Sequence, residues 1–465
     1  MDGFECEVLK RLPLAEVVWT LMRHVISPEF SRDLFDRHRG TGCEVRIEFG
    51  TLVQLVTDAL VQHSGSGRKS FETAQREGRL NATVRAVYGK LGRVRLELSQ
   101  AFLSQATLRL NEVLPTQMPS DLPESLRAFS VIAMDGKKIK NLAKRLQPLR
   151  SLQGKALGGK GVVALSLNTQ LAVALEASPD GEANDAPLAP GLVEQVQALL
   201  PGPRLWIADR QFCDLTIPAH IAAHGDHFLV RFTKKMRFWG EKTLTCRDAQ
   251  GREVVEEWGG LGTDAKRRIF VRRVTLKRPD EEEVSVVTDL VDPRRYPAVD
   301  LLAAYLQRWS IERVFQQVTE VFSLAHLIGS TPQGALFQFS LCLLLYNLIQ
   351  VIRAYVAQLQ QRDAATISSE LLFDDIREQM VAADVLLTRE ELIEHLDQPY
   401  RPVDVRIRLH ELLQGQWSTQ WIKSPPKRHP ARAAVKHSVA GGHSSAWKVL
   451  QAARAPRPTY KTHPS

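Results

Sequence analysis

Cysteine is scarce in this chain of 465 residues. Cys6, Cys43, Cys213, Cys246 and Cys342 are odd in number and share no paired spacing. That excludes a disulfide framework or a cysteine-rich zinc module and fits a reducing cytosol. A long unbroken apolar run is also missing. The most apolar stretch, "LFQFSLCLLLYNLIQVI" at 336–352, is interrupted by Gln338, Ser340, Asn347 and Gln350. It is short for a bilayer span and predicts a buried helix and no membrane. The first residues carry Asp2, Glu5 and Glu7 and no apolar core of signal-peptide type, so a cytoplasmic protein is expected. Acidic residues are absent from 423–465, which holds nine Lys and Arg. This segment alone matches the net charge of +9. Rich in Pro, Ala, Gly and Ser, it predicts a disordered basic tail, either a nucleic-acid arm or a solubilising end.

The length calls for two to four domains. Residues 1–115 have apolar residues at helical spacing, as in "LAEVVWTLMRHV" and "FGTLVQLVTDALVQHS". Between 68 and 95 stand eight Lys or Arg against two Glu. Within "NATVRAVYGKLGRV", Val84, Val87, Tyr88 and Leu91 form an inward stripe that leaves Arg85, Lys90 and Arg93 to face outward. A helical DNA-binding domain over 1–115 would look like this, and so would any basic helical bundle. Prolines and polar residues near 116 mark a linker.

Short apolar runs then alternate with helical ones: "FSVIAMDG", "GVVALSL", "LAVALEA", "RLWIADRQF" and "DHFLVRF" read as strands of an α/β core. From 233 to 298 the pattern is that of a β-rich insertion. Seven of the thirteen residues at 266–278 are basic, Arg272 and Arg273 among them, which predicts a positive face. A helical region, 331–422, follows.

Two apolar strands end in aspartate, at Asp135 and Asp209. Strand ends line the ligand crevice of an α/β sheet, although a strand-end Asp is more often a turn or cap residue. Downstream, "YLQRWSIERVFQQVT" at 305–319 spaces Tyr305, Arg308 and Glu312 along one helix face. No histidine or thiol accompanies the three carboxylates in these motifs. Clustered carboxylates need cations, and hard oxygen ligands suit Mg²⁺. Two such ions would clamp the attacking and leaving oxygens of a phosphodiester. Trp239 and Trp258, in the insertion, are read as core or hairpin residues.

"VIAMDG", "LWIADRQF" and "VVTDLVDPRRYPAVDLLAAYLQRWSIERVFQQV" together resemble a DDE transposase of the insertion sequence 4 family. The resemblance covers about 120–355. It implies a ribonuclease H-like catalytic domain over 116–330, carrying the β-insertion before its glutamate. It implies Asp135, Asp209 and Glu312 as catalytic metal ligands for two Mg²⁺ (or Mn²⁺) ions. Arg308 and Tyr305 are implied as phosphate contacts, with Arg210, Arg85, Lys90, Arg93, Arg272 and Arg273 as further DNA-binding candidates. The family pattern has a Lys where this chain has Thr319, whose hydroxyl offers a neutral hydrogen bond at most. Asp214, in "DRQFCD", is expected to cap the next helix. The implied activity is cut-and-paste transposition at terminal inverted repeats of double-stranded DNA, by a homodimer working on the bacterial nucleoid. The alternatives are an inactive, domesticated DNA-binding derivative or a ribonuclease H-like nuclease.

Overall fold

The computed structural model describes residues 3–42, 46–115, 121–264, 268–278, 282–388, 391, 401–424 and 442–454. Helices lead the chain: α1 (Gly3–Arg11), α2 (Pro13–Val25), α3 (Pro28–His38), α4 (Phe49–Val61), α5 (Gly67–Arg76), α6 (Val84–Leu91) and α7 (Leu96–Asn111). Ser27, Ser66 and Thr83 cap α3, α5 and α6 by accepting from the backbone three residues on. The inward stripe on α6 is as expected: Val87 and Leu91 are buried, and Val84 and Tyr88 pack against the core.

A mixed nine-stranded sheet follows, from β1 (Ser130–Lys138), β3 (Lys160–Ser166), β4 (Ala172–Ser178), β5 (Arg204–Ala208), β6 (His227–Arg231), β7 (Phe238–Arg247), β8 (Glu253–Leu261), β9 (Ile269–Leu276) and β10 (Val284–Thr288). Its order is β4-β3-β1-β5-β6-β10-β9-β8-β7. β1, β5 and β6 run parallel, and the other neighbours are antiparallel. The β-rich stretch therefore extends the same sheet. Helices α8 (Gln147–Arg150), α9 (Ala189–Leu199) and α10 (Thr216–Ala223) lie between these strands in sequence. After them come α11 (Ala298–Gln307), α12 (Trp309–Glu320), α13 (Pro332–Leu359), α14 (Ser369–Leu386) and α15 (Pro402–Leu413).

Period-two alternation divides the strand residues between two cores. Ile132, Met134, Trp206 and Ala208 face α9 and α10. Val131, Ala133, Leu205 and Ile207 face the other way, into the large core built with α12, α13 and the N-terminal helices. α14 and α15 pack on α2, so the first and last helical regions share one body.

α13 is long and apolar enough to cross a membrane by length and composition, yet the apolar stretch is wholly buried in protein. Two of its polar interruptions are bonded on both sides of the amide. Asn347 accepts from Ala172 N at 2.8 Å and donates to Ala172 O and Thr107 Oγ1, both at 2.9 Å. Gln338 accepts from Ile328 N and donates to His326 O. A buried amide bonded in this way specifies one register for the helix.

The tail departs from expectation over 442–454. β11 (His443–Ser445) pairs in parallel with β2 (Lys155–Leu157), and α16 (Ala446–Arg454) follows it. Lys448 pairs with Glu182 at 2.6 Å and Asp180 at 3.4 Å, so part of the basic excess is neutralised locally. Residues 425–441 and 455–465 lie outside the described residues.

Candidate active site

The β1–β5 register pairs Met134 with Ala208. One step further, Asp135, inside β1, comes beside Asp209, the first residue past the end of β5, so β1 does not end at its aspartate as expected but runs on to Lys138. Both fall on the odd positions that face α12, and so does Lys137. Asp135 Oδ1 accepts from Gly136 N at 2.8 Å. Asp209 Oδ1 accepts from Gln211 N at 2.7 Å and so caps the short turn Arg210–Phe212, leaving Oδ2 to the site. Here the cap and the candidate site residue are one. Asp214 caps α10 through Ile217 N at 2.9 Å, as expected.

Glu312 comes from α12. The 305–319 segment is not one unbroken helix: α11 stops at Gln307, and Arg308 forms the junction, donating from its N–H to Tyr305 O at 3.0 Å. That tight turn aims the Arg308 side chain at the strand ends. Its guanidinium lies between Asp135 Oδ2 (3.3 Å) and Glu312 Oε1 (2.9 Å). The Arg308 side chain is 6% exposed, Asp135 16% and Glu312 40%, so the pair with Glu312 is no ordinary surface pair. Trp309 and Tyr305 flank the guanidinium, at 5.2 and 5.9 Å to their ring centroids.

Burial pushes the Asp135 carboxyl up to about 6. Gly136 N and Arg308 oppose the shift, and the charges of Asp209 and Glu312 add to it. Arg308 thus pairs with two of the three carboxylates, Asp135 and Glu312. The donors are all oxygens, the chemistry a hard divalent cation takes. In this conformation Arg308 fills the space between two of them, and no three acidic, histidine or cysteine side chains among the described residues stand close enough to hold an ion. The donor set fits such a metal in kind, once the arginine withdraws.

Tyr305 is 2% exposed, and burial raises its phenol pKa. Neither it nor Arg308 offers an open face to a phosphate in this state. Thr319 is half-buried on α12 and spends its hydroxyl on Phe315 O at 2.6 Å. Arg210 is well exposed next to Asp209, with Glu282 at 4.0 Å. Arg85 and Arg93 are exposed on and just beyond α6, while Lys90 is half-buried over the Phe35 ring at 4.6 Å.

Arg272 is a correction. It is fully buried, bound to Glu256 at 2.8 Å and to Tyr296 O at 2.7 Å, so it cannot belong to a DNA-facing surface. The neighbouring charges are met by β8 in the same way: Arg273 pairs with Glu257 and Lys277 with Glu253, both at 2.7 Å. A basic run on one strand reads as a positive face only when the facing strand is ignored. Arg272→Met is expected to strand the Glu256 carboxylate and cost about 3–5 kcal/mol. Thermal melts would register that loss, and the salt dependence of DNA binding should not change.

Trp258 is buried and donates to Val291 O at 2.8 Å. Trp239 is covered by guanidinium groups, with Arg237 at 3.6 Å and Arg268 at 3.9 Å from the ring centroid, and it donates to Gly262 O. Sequence reasoning passed over Gly136, Lys137, Lys160 and Asp185. Lys137 donates to Phe315 O at 3.3 Å from β1. Lys160 and Asp185 form a buried ion pair at 2.6 Å beside Gly136. The available signal was local: "DGKK" continues the strand directly from Asp135.

Residues 128–348 match the transposase DDE domain family, a span that holds all three carboxylates. The Sinorhizobium fredii protein y4zB, which carries a transposase name, is 28% identical over 88 residues, 19% of this chain and 24% of that protein. The chain therefore aligns with about a quarter of the length of this curated relative. A piggyBac transposase solved in a synaptic complex with hairpin DNA is 12% identical, with a TM-score of 0.35 over 93% of this chain and 80% of that one. That likeness is too loose to bear on fold or function. The family match and the curated relative support a DDE transposase.

Proposed function

We propose that the chain is a transposase of the insertion sequence 4 kind, which cuts DNA at the ends of its element and joins the freed 3′ ends to target DNA. One observation carries this reading: Asp135 on β1 and Asp209 just past the parallel β5 lie side by side, and Glu312 is tied to Asp135 through Arg308. The order β4-β3-β1-β5-β6 supports a ribonuclease H-like core within 116–330, enlarged by the insertion 233–298. The helical regions on either side, 1–115 and 331–422, would grip DNA, and two copies would hold two ends together.

Asp135, Asp209 and Glu312 would hold the divalent ions, which supply a positive clamp on the reacting phosphate oxygens. The chain's own groups orient and neutralise. Arg308 balances Asp135 and Glu312 in the absence of DNA, and its planar fork suits two oxygens of an incoming phosphate. Burial of Asp135 and Tyr305 keeps bulk water from the strand ends. In the first step water attacks phosphorus, and the bond to the 3′ oxygen breaks, freeing a 3′-hydroxyl. That hydroxyl then attacks a target phosphodiester, displaces the target 3′ oxygen and loses its proton to solvent.

The test is incubation of the full chain with Mg²⁺, a duplex carrying the inverted repeats that flank its gene, and a plasmid target. Cut 3′ ends joined to plasmid are expected. Tight binding to the repeats without cutting, at any Mg²⁺ or Mn²⁺ concentration, would identify the inactive derivative instead.

A further inference from the structure

Among the described residues Lys137 forms no ion pair. It follows Asp135 by two positions on β1 and so projects from the same face, roughly 6.6 Å further along the strand. Its Nζ donates to the Phe315 carbonyl at 3.3 Å and lies 5.7 Å from the Phe315 ring centroid. The Thr319 hydroxyl donates to the same carbonyl at 2.6 Å. Ammonium and hydroxyl therefore meet at one oxygen, where α12 passes over β1 a turn beyond Glu312. The other cation at this place, Arg308, is held by Asp135 and Glu312. The facing charges are Lys140, which repels Lys137, and Glu320, which attracts it from beyond ion-pair distance. An ammonium has three donors, and among the described residues one is engaged.

We propose that Lys137 binds a backbone phosphate of the DNA strand next to the one that is cut, the role resting on the transposase reading above. The ammonium comes from the strand and occupies the space over position 319 of α12. This explains how a neutral threonine is accommodated there. It also means that Thr319→Lys alone would set two ammonium groups against each other.

The experiment uses the full chain and two labelled duplexes of equal length, one with the flanking inverted repeat and one of unrelated sequence. Lys137→Met is expected to keep the melting temperature and to cut the repeat about ten- to a hundredfold more slowly, the worth of one charge-assisted contact. On both duplexes its slope of log affinity against log salt should be shallower by about 0.9. Lys137→Met/Thr319→Lys, which returns the charge from the helix side, should recover most of the rate and the slope. An unchanged slope and rate in Lys137→Met would overturn the proposal. So would a lowered melting temperature that the double variant does not relieve, since that marks a structural lysine. The slope needs no turnover, so it judges Lys137 even if the chain does not cut. If Asp209→Asn cuts normally while the Lys137→Met slope flattens, the transposase reading fails and the phosphate contact stands.

Discussion

Asp209→Asn is expected to lower end cleavage by about a thousandfold or more while binding to the inverted repeat changes little. Asp135→Asn and Glu312→Gln should match it within an order of magnitude, because residues that act as a unit do not lose function additively. A double variant should be scarcely worse than either single one. Each replacement keeps shape and removes one charge from a set that must hold cations against a phosphodiester. Gel shift and cleavage on the same duplex separate the two effects. Full cutting by any one variant would remove that residue from the site. The opposite outcome, lost binding with normal cutting of pre-bound DNA, would move the acids to a recognition role.

The Asp135 variant carries a second, opposite signature. In the folded chain its carboxyl titrates at about 6, against 3.8 in an unfolded chain, and burial is the main cause. A raised carboxyl pKa means the folded state holds the proton more tightly. The benefit is complete below the unfolded value and is lost as pH rises through about 6. Above that the charged form is a liability of order 1–3 kcal/mol, discounted for Arg308 beside it. Asp135→Asn should therefore melt higher than the parent at pH 8, with the gap closing toward pH 5. Mg²⁺ should raise the parent's melting temperature at pH 8 and leave the variant's nearly unchanged. A functional residue that destabilises its own fold is common where charge is held ready for a ligand.

The sequence made much of this site legible because its signals are local. The apolar run before Asp209 is a strand that ends there, the run before Asp135 is a strand that continues to Lys138, and the Arg308–Glu312 spacing survives in space. What it hid depends on partners distant in sequence. The basic run at 266–278 looked solvent-facing, but Glu253, Glu256 and Glu257 on β8 neutralise three of its members. Arg308 reads as a helix residue available to DNA, yet the junction between α11 and α12 turns it inward. Residues 442–454 are low in hydrophobicity, but they gain order by adding β11 beside β2. Pairing register, more than composition, separates the readings that held from those that did not.

Gly136→Ala is expected to damage the fold far more than a single methyl normally does. No positive φ requires glycine here, so backbone strain is not the reason. A Cβ at this position would fall well inside van der Waals contact with the Asp185 carboxylate. Asp185 cannot give way cheaply, because it is 5% exposed and paired with the equally buried Lys160 at 2.6 Å. Either β1 shifts, taking Asp135 out of register with Asp209, or the pair breaks and strands two buried charges, at about 3–5 kcal/mol. Both routes predict a lowered melting temperature, and the first also predicts lost cleavage. The steric account has a specific check. In a Lys160→Met/Asp185→Ala background, where carboxylate and ammonium leave together, adding Gly136→Ala should cost less than about 1 kcal/mol, a coupling that neighbouring residues show and distant ones do not. If Gly136→Ala costs as much there as in the parent chain, the glycine serves something other than room for Asp185. If it costs nothing in either background, β1 tolerates a side chain at this position and the packing assigned to the site's floor is wrong.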